Sequence, residues 1–287
     1  MKKLFNHILV PVNFNRDTQM VVGKAIAIAN EFRCDVHLLH NHSPALVTPF
    51  FHARDSSPDT PGYPNADAEG RLNILAENYS HLMSEGLSIT TSLATGSWFA
   101  VMKQFIITHR IDLVIIPRHI KRFLGEWLYQ VNINRLARET KCPILTVTPD
   151  MDISHMKNIV VPINDFLPIR KLTAATYIAR RFNAIIHLMG YKKDLHGKET
   201  GDTKWVGRAY QLLSDHTQLK IHRTATHYGN SISGKTLSYA RQVEADLIVI
   251  NPGKESIHGG WINHLLGRYL HRKSNIPVLT VARAVPE

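Results

Sequence analysis

Short apolar runs rich in β-branched residues alternate along the chain with segments whose apolar positions recur every three to four residues. The run at residues 8–12 is followed by a helical spacing at residues 21–29, for which Asp17 is the predicted N-cap. The same alternation predicts further strands at residues 36–39, 89–93, 113–116 and 144–147, and further helices at 72–82, 96–107 and 127–139. The order βαβαβαβαβ predicts a parallel sheet with right-handed crossovers and helices on both faces.

The pattern is present twice. The strand motif around Pro11 recurs around Pro162. The closing motif Cys-Pro-Ile-Leu-Thr-Val, which ends at Val147, recurs as Ile-Pro-Val-Leu-Thr-Val, which ends at Val281. Second-copy strands are predicted at residues 159–163, 185–189, 219–225, 247–250 and 278–281. The duplication predicts two domains, residues 1–150 and 151–287. A residue that serves the fold should occur in both copies, whereas one that serves chemistry can occur in a single copy.

The first copy is longer than the second. Pro11 and Pro162 lie 151 residues apart, whereas Pro143 and Pro277 lie 134 apart. The extra length is assigned to residues 43–69, which hold five prolines. A long proline-rich loop without periodicity is typical of a lid, a binding loop or a disordered segment, and we interpret this one as loosely packed or disordered.

Composition narrows the class of protein. The hydrophobic content of 44% is typical of soluble globular proteins, and no run reaches 18 apolar residues, so no membrane helix is predicted. The apolar run near the start recurs at residue 159 and is read as a strand and not as an export signal. Two cysteines do not make a disulfide framework. These features predict a cytoplasmic protein.

The net charge of +11 lies mainly in the second copy. Residues 1–150 carry 15 Lys and Arg against 13 Asp and Glu, a net charge of +2, whereas residues 151–287 carry 19 against 10, a net charge of +9. A basic half could attract phosphates or nucleic acid. We favour a solvated basic face, because no arginine-rich tract or aromatic-interleaved basic stripe occurs; a nucleic-acid-associated protein remains an alternative.

The repeated motifs resemble those of the universal stress protein family in its tandem form. The resemblance lies in Ile-Leu-Val-Pro-Val at residues 8–12, Asp-Leu-Ile-Val-Ile at 246–250 and the closing motif at 142–147. It implies an α/β fold of two doubly wound five-stranded parallel sheets of order 3-2-1-4-5, adenine-nucleotide alpha-hydrolase-like, arranged as a pseudo-twofold tandem pair through their last strands. It also implies that domain pairing within one chain, or a homodimer, covers edge strands. Many members of the family bind ATP, and another branch does not.

The motifs that the resemblance assigns to ATP are degraded here. Relatives place an aspartate after the first strand, where this chain has Asn13 and Asn164. Relatives also carry a spaced glycine pattern after the fourth strand, which lets backbone N–H groups approach phosphates. Copy one lacks this pattern and copy two keeps part of it. The expected site of any ATP is therefore domain 2, at Pro162, Asn164, Asn251, Gly253, Gly259 and Gly260.

A second phosphate signal is the octapeptide at residues 229–236, which matches the pattern G-x-x-x-x-G-K-[ST] of a P-loop. Its diagnostic residues are Gly229, Gly234, Lys235 and Thr236. The corresponding turn of copy one lacks Gly-Lys-Thr, and Asp246 begins its strand instead of ending it, where Mg²⁺ would need a carboxylate. A P-loop nucleotide hydrolase is kept as an alternative function.

No catalytic or metal site is assigned. The chain lacks the G-x-S-x-G, H-E-x-x-H and C-x-x-C patterns, and its 17 histidines show no spacing that selects a metal. His37 and His40 should lie on opposite faces of their strand, and His187 matches His37 in the copy alignment. The leading hypothesis is a stress-response protein that works by binding and not by turnover, with an unidentified protein partner. Its binding of adenine nucleotide is expected to be weak or absent, and confined to domain 2 if present.

Overall fold

The computed structural model of the chain describes residues 3–14, 17–41, 68–117, 132–148, 151–192, 202–227, 232–253, 255 and 276–283. Within these ranges the chain forms ten strands and seven helices in the predicted alternation. In this described part, no helix combines the length and the hydropathy needed to cross a membrane. The proline-rich segment predicted as a loop falls mainly at residues 42–67, outside the described residues.

The first half of the chain contributes five strands and four helices. Its strands are β1 His7–Val12, β2 Asp35–Asn41, β3 Ile89–Ala94, β4 Leu113–Pro117 and β5 Ile144–Val147, and its helices are α1 Asp17–Phe32, α2 Ala68–Ser80, α3 Trp98–Thr108 and α4 Ile133–Thr140. Side chains cap two of the helices. Ser97 Oγ accepts from the Ala100 N–H at 3.4 Å before α3, and Asn132 Oδ1 accepts from the Arg135 N–H at 3.0 Å before α4.

The second half repeats this order over its described residues. Its strands are β6 Asn158–Pro162, β7 Ile185–Lys192, β8 Ile221–His227, β9 Leu247–Ile250 and β10 Val278–Thr280, and its helices are α5 Ile169–Phe182, α6 Asp202–His216 and α7 Ile232–Gln242.

All ten strands belong to one sheet, of order β3-β2-β1-β4-β5-β10-β9-β6-β7-β8. Each half has the expected 3-2-1-4-5 order of parallel strands, and the last strands of the two halves, β5 and β10, pair antiparallel. The predicted two sheets are therefore joined into one continuous sheet. Leu145 faces Leu279 in this pairing, with Ile144 opposite Thr280 and Thr146 opposite Val278. Leu145 and Leu279 are equivalent residues of the repeat, so the pseudo-twofold axis passes between them.

An aspartate repeated in both halves anchors the first strand of each. The carboxylate of Asp112, just before β4, accepts from the backbone N–H groups of Asn6 at 2.9 Å and His7 at 3.1 Å. Asp246, just before β9, accepts from the N–H groups of Lys157 at 2.7 Å and Asn158 at 2.9 Å. Because the contact occurs in both halves, we assign it a structural role. It satisfies backbone N–H groups at the start of buried strands.

The halves also meet on one face of the sheet, where α1 packs near α5. Phe32 stacks on Tyr177 with ring centroids 5.3 Å apart, and Phe5 approaches the same tyrosine edge-on at 5.4 Å. Buried side chains from both halves belong to one continuous hydrophobic cluster on this face. Burial of this aromatic surface stabilises the joined arrangement beyond the pairing of β5 with β10.

Candidate functional site

Each half has a topological switch point, where the chain connections that follow two neighbouring parallel strands lead to opposite sides of the sheet. It lies between β1 and β4 in the first half and between β6 and β9 in the second. In open α/β sheets, ligands bind in the crevice beyond the carboxyl ends of the strands at such points. The geometry at these two places therefore decides whether the predicted site is open.

A buried ion pair bridges the switch point of the second half. The Lys171 ammonium, in the first turn of α5, donates to the Pro162 carbonyl at the end of β6 and to Glu255 Oε2 at 2.7 Å. The same Glu255 oxygen accepts from the Asn251 N–H, which follows β9, at 2.7 Å. The exposed fractions of the Lys171 and Glu255 side chains are 0% and 3%. The protein's own charges thus connect the ends of the two strands between which a ligand would enter.

The electrostatics of this pair follow from its burial. Desolvation lowers the pKa of the Lys171 ammonium from its usual range, and the charge and hydrogen bond of Glu255 oppose that shift. The second carboxylate oxygen of Glu255, Oε1, has no hydrogen-bond partner among the described residues. A buried pair of this kind is costly to break, because either partner alone would be an uncompensated charge.

The residues predicted for the site gather around this pair where they are described. Asn164 and Asn251 are both buried, and Asn251 Nδ2 donates to the Val281 carbonyl at 2.7 Å. Gly253 has a φ of +121°, a conformation that favours glycine, and a Cβ built there would meet no atom within 4 Å. The structure brings Pro162, Asn164 and Asn251 to the ends of neighbouring strands. Gly259 and Gly260 lie outside the described residues.

Sequence reasoning missed both members of the ion pair. Lys171 lies eleven residues before Phe182, which ends α5, and its counterpart eleven residues before Phe32 in α1 is the buried Val21. A lysine in place of a valine on the core-facing side of a helix was the available signal. Its meaning depended on Glu255, which lies 84 residues further along the chain.

The switch point of the first half is built differently. Asn13 Oδ1 accepts from Thr18 Oγ1 at 3.2 Å. The next residue, Phe14, has a φ of +58° and places its ring 4.6 Å from His40, with the Arg71 guanidinium 4.3 Å from the ring centre. No ion pair like that of the second half occurs among the described residues here. The two halves share the fold, but the described residues at their switch points differ.

A comparison with models of protein families shows the family to which the chain belongs. The model described as "Universal stress protein family" matches residues 4–148, which is half of the chain. The chain belongs to the universal stress protein family. The search of curated proteins found no match.

Solved structures share the fold over the full length. A universal stress protein from Archaeoglobus fulgidus DSM 4304 is 14% identical, with 97% of this chain and 99% of that chain covered and a TM-score of 0.68. A functionally unknown protein from Pseudomonas aeruginosa PAO1 is 17% identical, with 98% and 94% covered and a TM-score of 0.64. A universal stress protein solved in complex with cAMP is 13% identical, with 51% of this chain and 99% of that chain covered and a TM-score of 0.37.

In this universal stress protein, three of the four diagnostic residues of the P-loop pattern lie in a helix. Gly234, Lys235 and Thr236 lie inside α7, which is already helical from Ile232. The buried Thr236 hydroxyl bonds to the Ile232 carbonyl at 2.8 Å and to the Tyr191 hydroxyl, so it is not presented to a Mg²⁺ ion. Lys235 is exposed, and Gly229 lies outside the described residues. Asp246 accepts from backbone N–H groups and lies before β9, so its carboxylate is not at the end of that strand.

The histidines near the second strand serve packing contacts. His37 Nε2 lies 3.4 Å from His7 Nδ1, whereas His40 Nδ1 lies 2.8 Å from the Val12 carbonyl, so the two side chains take different partners. In the second half, His187 Nε2 lies 3.1 Å from Asn158 Oδ1, the position equivalent to His7. Within the described ranges, no three His, Cys, Asp or Glu side chains converge as metal ligands.

Proposed function

We propose that this chain is a tandem universal stress protein, with domains at residues 1–150 and 151–287, that acts in the stress response by binding and not by catalytic turnover. Its adenine-nucleotide binding is weak or absent. The observation that supports this is the buried Lys171–Glu255 pair across the switch point of the second half. A protein partner, recognised by the folded tandem unit, would carry the regulatory role.

The ion pair opposes a nucleotide in two ways. The Lys171 ammonium already donates to Pro162 and Glu255, so its charge is compensated before any phosphate arrives. The Glu255 carboxylate adds a negative charge at the end of β9, where phosphates would approach. Opening the pair would cost about 3–5 kcal/mol, the usual result of breaking a buried pair. Such a cost reduces an ordinary micromolar affinity to about the millimolar range.

Residual binding would use the second half. Asn164, Asn251 and Gly253 lie at its switch point, and in the sequence Gly259 and Gly260 follow them. The first half lacks the glycines and places Phe14, His40 and Arg71 at its own switch point. A nucleotide is therefore proposed only for the second half, with ATP as the ligand to test.

A calorimetric titration with ATP tests the proposal. The wild type should give a Kd of about 1 mM or weaker. The double variant Lys171→Val/Glu255→Ala gives position 171 the residue found at Val21. It should bind ATP at least about tenfold more tightly than the wild type, because no buried ion pair has to be opened. Micromolar binding by the wild type that is unchanged in the double variant would contradict the proposal.

Turnover is tested separately with the same protein. Phosphate release from Mg·ATP should stay at the level of a buffer control, because the buried Thr236 hydroxyl cannot hold the metal. Phosphate release that requires Mg²⁺ and disappears in Lys235→Ala would instead establish the hydrolase alternative.

A further inference from the structure

A cavity of about 540 Å³ opens where the first half meets the carboxyl end of β9. Its lining includes five cationic residues from three places in the fold. They are Arg138 and Lys141 at the end of α4, Arg170 and Lys171 in the first turn of α5, and Arg283 after β10. Its described lining contains no Asp or Glu. The volume is that of an ordinary small-molecule site.

The charges around this cavity are unbalanced. Lys171 is compensated by Glu255, and Arg283 lies 3.5 Å from Asp165 at a half-exposed position. No carboxylate among the described residues pairs with Arg138 or Lys141, and the Arg170 guanidinium donates to the Lys141 carbonyl at 2.7 Å. Like charges gathered around a concave surface raise the local concentration of anions. The excess positive charge therefore favours an anionic ligand.

Two of the cations are held in place by the fold. The Arg170 guanidinium is fixed by its bond to the Lys141 carbonyl, which ties α5 to the end of α4. The Arg283 guanidinium lies 3.8 Å from the centre of the Phe166 ring, so it is stacked on a cavity wall. Planar guanidinium groups with restricted orientations suit the oxygens of a phosphate.

Asn251 gives an independent sign of a ligand. Its side chain lines the cavity and is 2% exposed. Nδ2 donates to the Val281 carbonyl at 2.7 Å, which orients the amide, and Oδ1 receives no hydrogen bond from any described residue. A buried acceptor without a donor is unfavourable. A ligand that offers a hydroxyl or amino hydrogen would satisfy it.

We propose that this cavity, shared by the two halves, binds a small organic phosphate that carries a hydroxyl or amino donor. The phosphate is held by Arg138, Lys141 and Arg283, and the donor group bonds to Asn251 Oδ1. Because Arg138 and Lys141 belong to the first half, the site exists only when the two halves are joined. The cavity adjoins the switch point and shares Lys171 and Asn251 with it. Its phosphate position is distinct, because Arg138, Lys141 and Arg283 take no part in the nucleotide binding considered for the switch point.

Ribose 5-phosphate is a suitable probe, with ribose as the uncharged control, in calorimetry at low ionic strength. The wild type should show saturable binding at one site and no binding of ribose. Arg138→Gln and Arg283→Gln should each weaken the binding by about tenfold, since each removes a charge-assisted hydrogen bond. Lys220→Gln removes an exposed cation elsewhere and should leave the affinity unchanged.

The remaining outcomes overturn the proposal. They are the absence of saturable binding by the wild type, an equal loss in all three variants, and affinities that neither arginine variant changes. Titrations with ATP distinguish binding at this cavity from binding at the switch point. ATP binding that Arg138→Gln abolishes belongs to the cavity, whereas tight ATP binding that survives Arg138→Gln contradicts the closed switch point and leaves the cavity proposal standing.

Discussion

Leu145 and Leu279 face each other across the junction of β5 and β10, at the centre of the ten-stranded sheet. Their side chains are 6% and 1% exposed, and both belong to the hydrophobic cluster shared by the two halves. A residue and its repeat equivalent thus form the contact that joins the copies. This geometry makes the halves depend on each other for stability.

Leu145→Ala should lower the free energy of unfolding of the whole chain by about 2–5 kcal/mol, as for other large-to-small changes in a core. Unfolding followed by circular dichroism should show one transition that shifts as a unit. Leu93→Ala is the matched control, because Leu93 is 43% exposed in β3 and should cost little. Two transitions, of which Leu145→Ala shifts only one, would show that the halves unfold separately.

A thermodynamic cycle tests the buried ion pair. Lys171→Met or Glu255→Leu alone should destabilise the chain by about 3–5 kcal/mol, because each leaves a buried charge without its partner. The double variant should cost less than either single change, since two apolar side chains replace the pair. Urea-unfolding midpoints with their slopes supply the measurement.

The surface pair Arg181–Glu31 is the control for that cycle. Its atoms are 2.8 Å apart, close to the 2.7 Å of the buried pair, but the side chains are 53% and 33% exposed. Arg181→Met should change stability by less than about 1 kcal/mol. A Lys171→Met effect as small as that of Arg181→Met would mean that the pair is not buried as described.

Much of the topology could be predicted from sequence, but the buried ion pair at the switch point of the second half could not. Apolar runs at fixed spacing, present twice, were enough to predict a parallel sheet in each half. The strand order within each half and the meeting of β5 with β10 were implied by the resemblance to the family and not by the spacing. A lysine in the first turn of a helix usually lies in solvent, so Lys171 gave little warning of its burial. Its role depends on Glu255, whose side chain reaches it only after the chain has folded. Likewise, the P-loop pattern carried no information that Thr236 would be buried against Tyr191.

The His7–His37 contact predicts a loss of stability in acid. Burial, His7 and His109 lower the pKa of His37, and Asp35 partly opposes them. Folding therefore favours the neutral ring, so stability should be lost as the pH falls from about 7 through the unfolded value of about 6.5. Unfolding midpoints in urea at pH 7.5 and pH 5.5 give the difference.

His7→Asn copies the second half, where Asn158 contacts His187. This variant should lose less stability between the two pH values than the wild type, while the burial of His37 leaves part of the loss in place. His81→Asn replaces an exposed histidine and should behave as the wild type does. An identical acid response in all three proteins would remove His7 from the explanation.

Both cysteines should resist modification in the native protein. The Cys34 thiol is buried and donates to the Phe5 carbonyl at 3.2 Å, and burial raises its pKa to about 12. Burial also raises the pKa of the Cys142 thiol. Since the thiolate is the reactive form, Ellman's reagent at pH 8 should detect no fast-reacting thiol until denaturant is added, and two thereafter. A thiol that reacts at once in the native protein would contradict this packing.

Native mass spectrometry of the purified full-length chain, followed by nucleotide analysis of a denatured extract, tests the closed switch point most directly. With the Lys171–Glu255 pair across the ends of β6 and β9, the wild type should appear at the mass of the polypeptide alone. Its extract should contain no stoichiometric ATP, ADP or AMP. A stoichiometric nucleotide, retained by the wild type and lost in Gly253→Val, would show that the switch point is an open binding site and would contradict the proposed function.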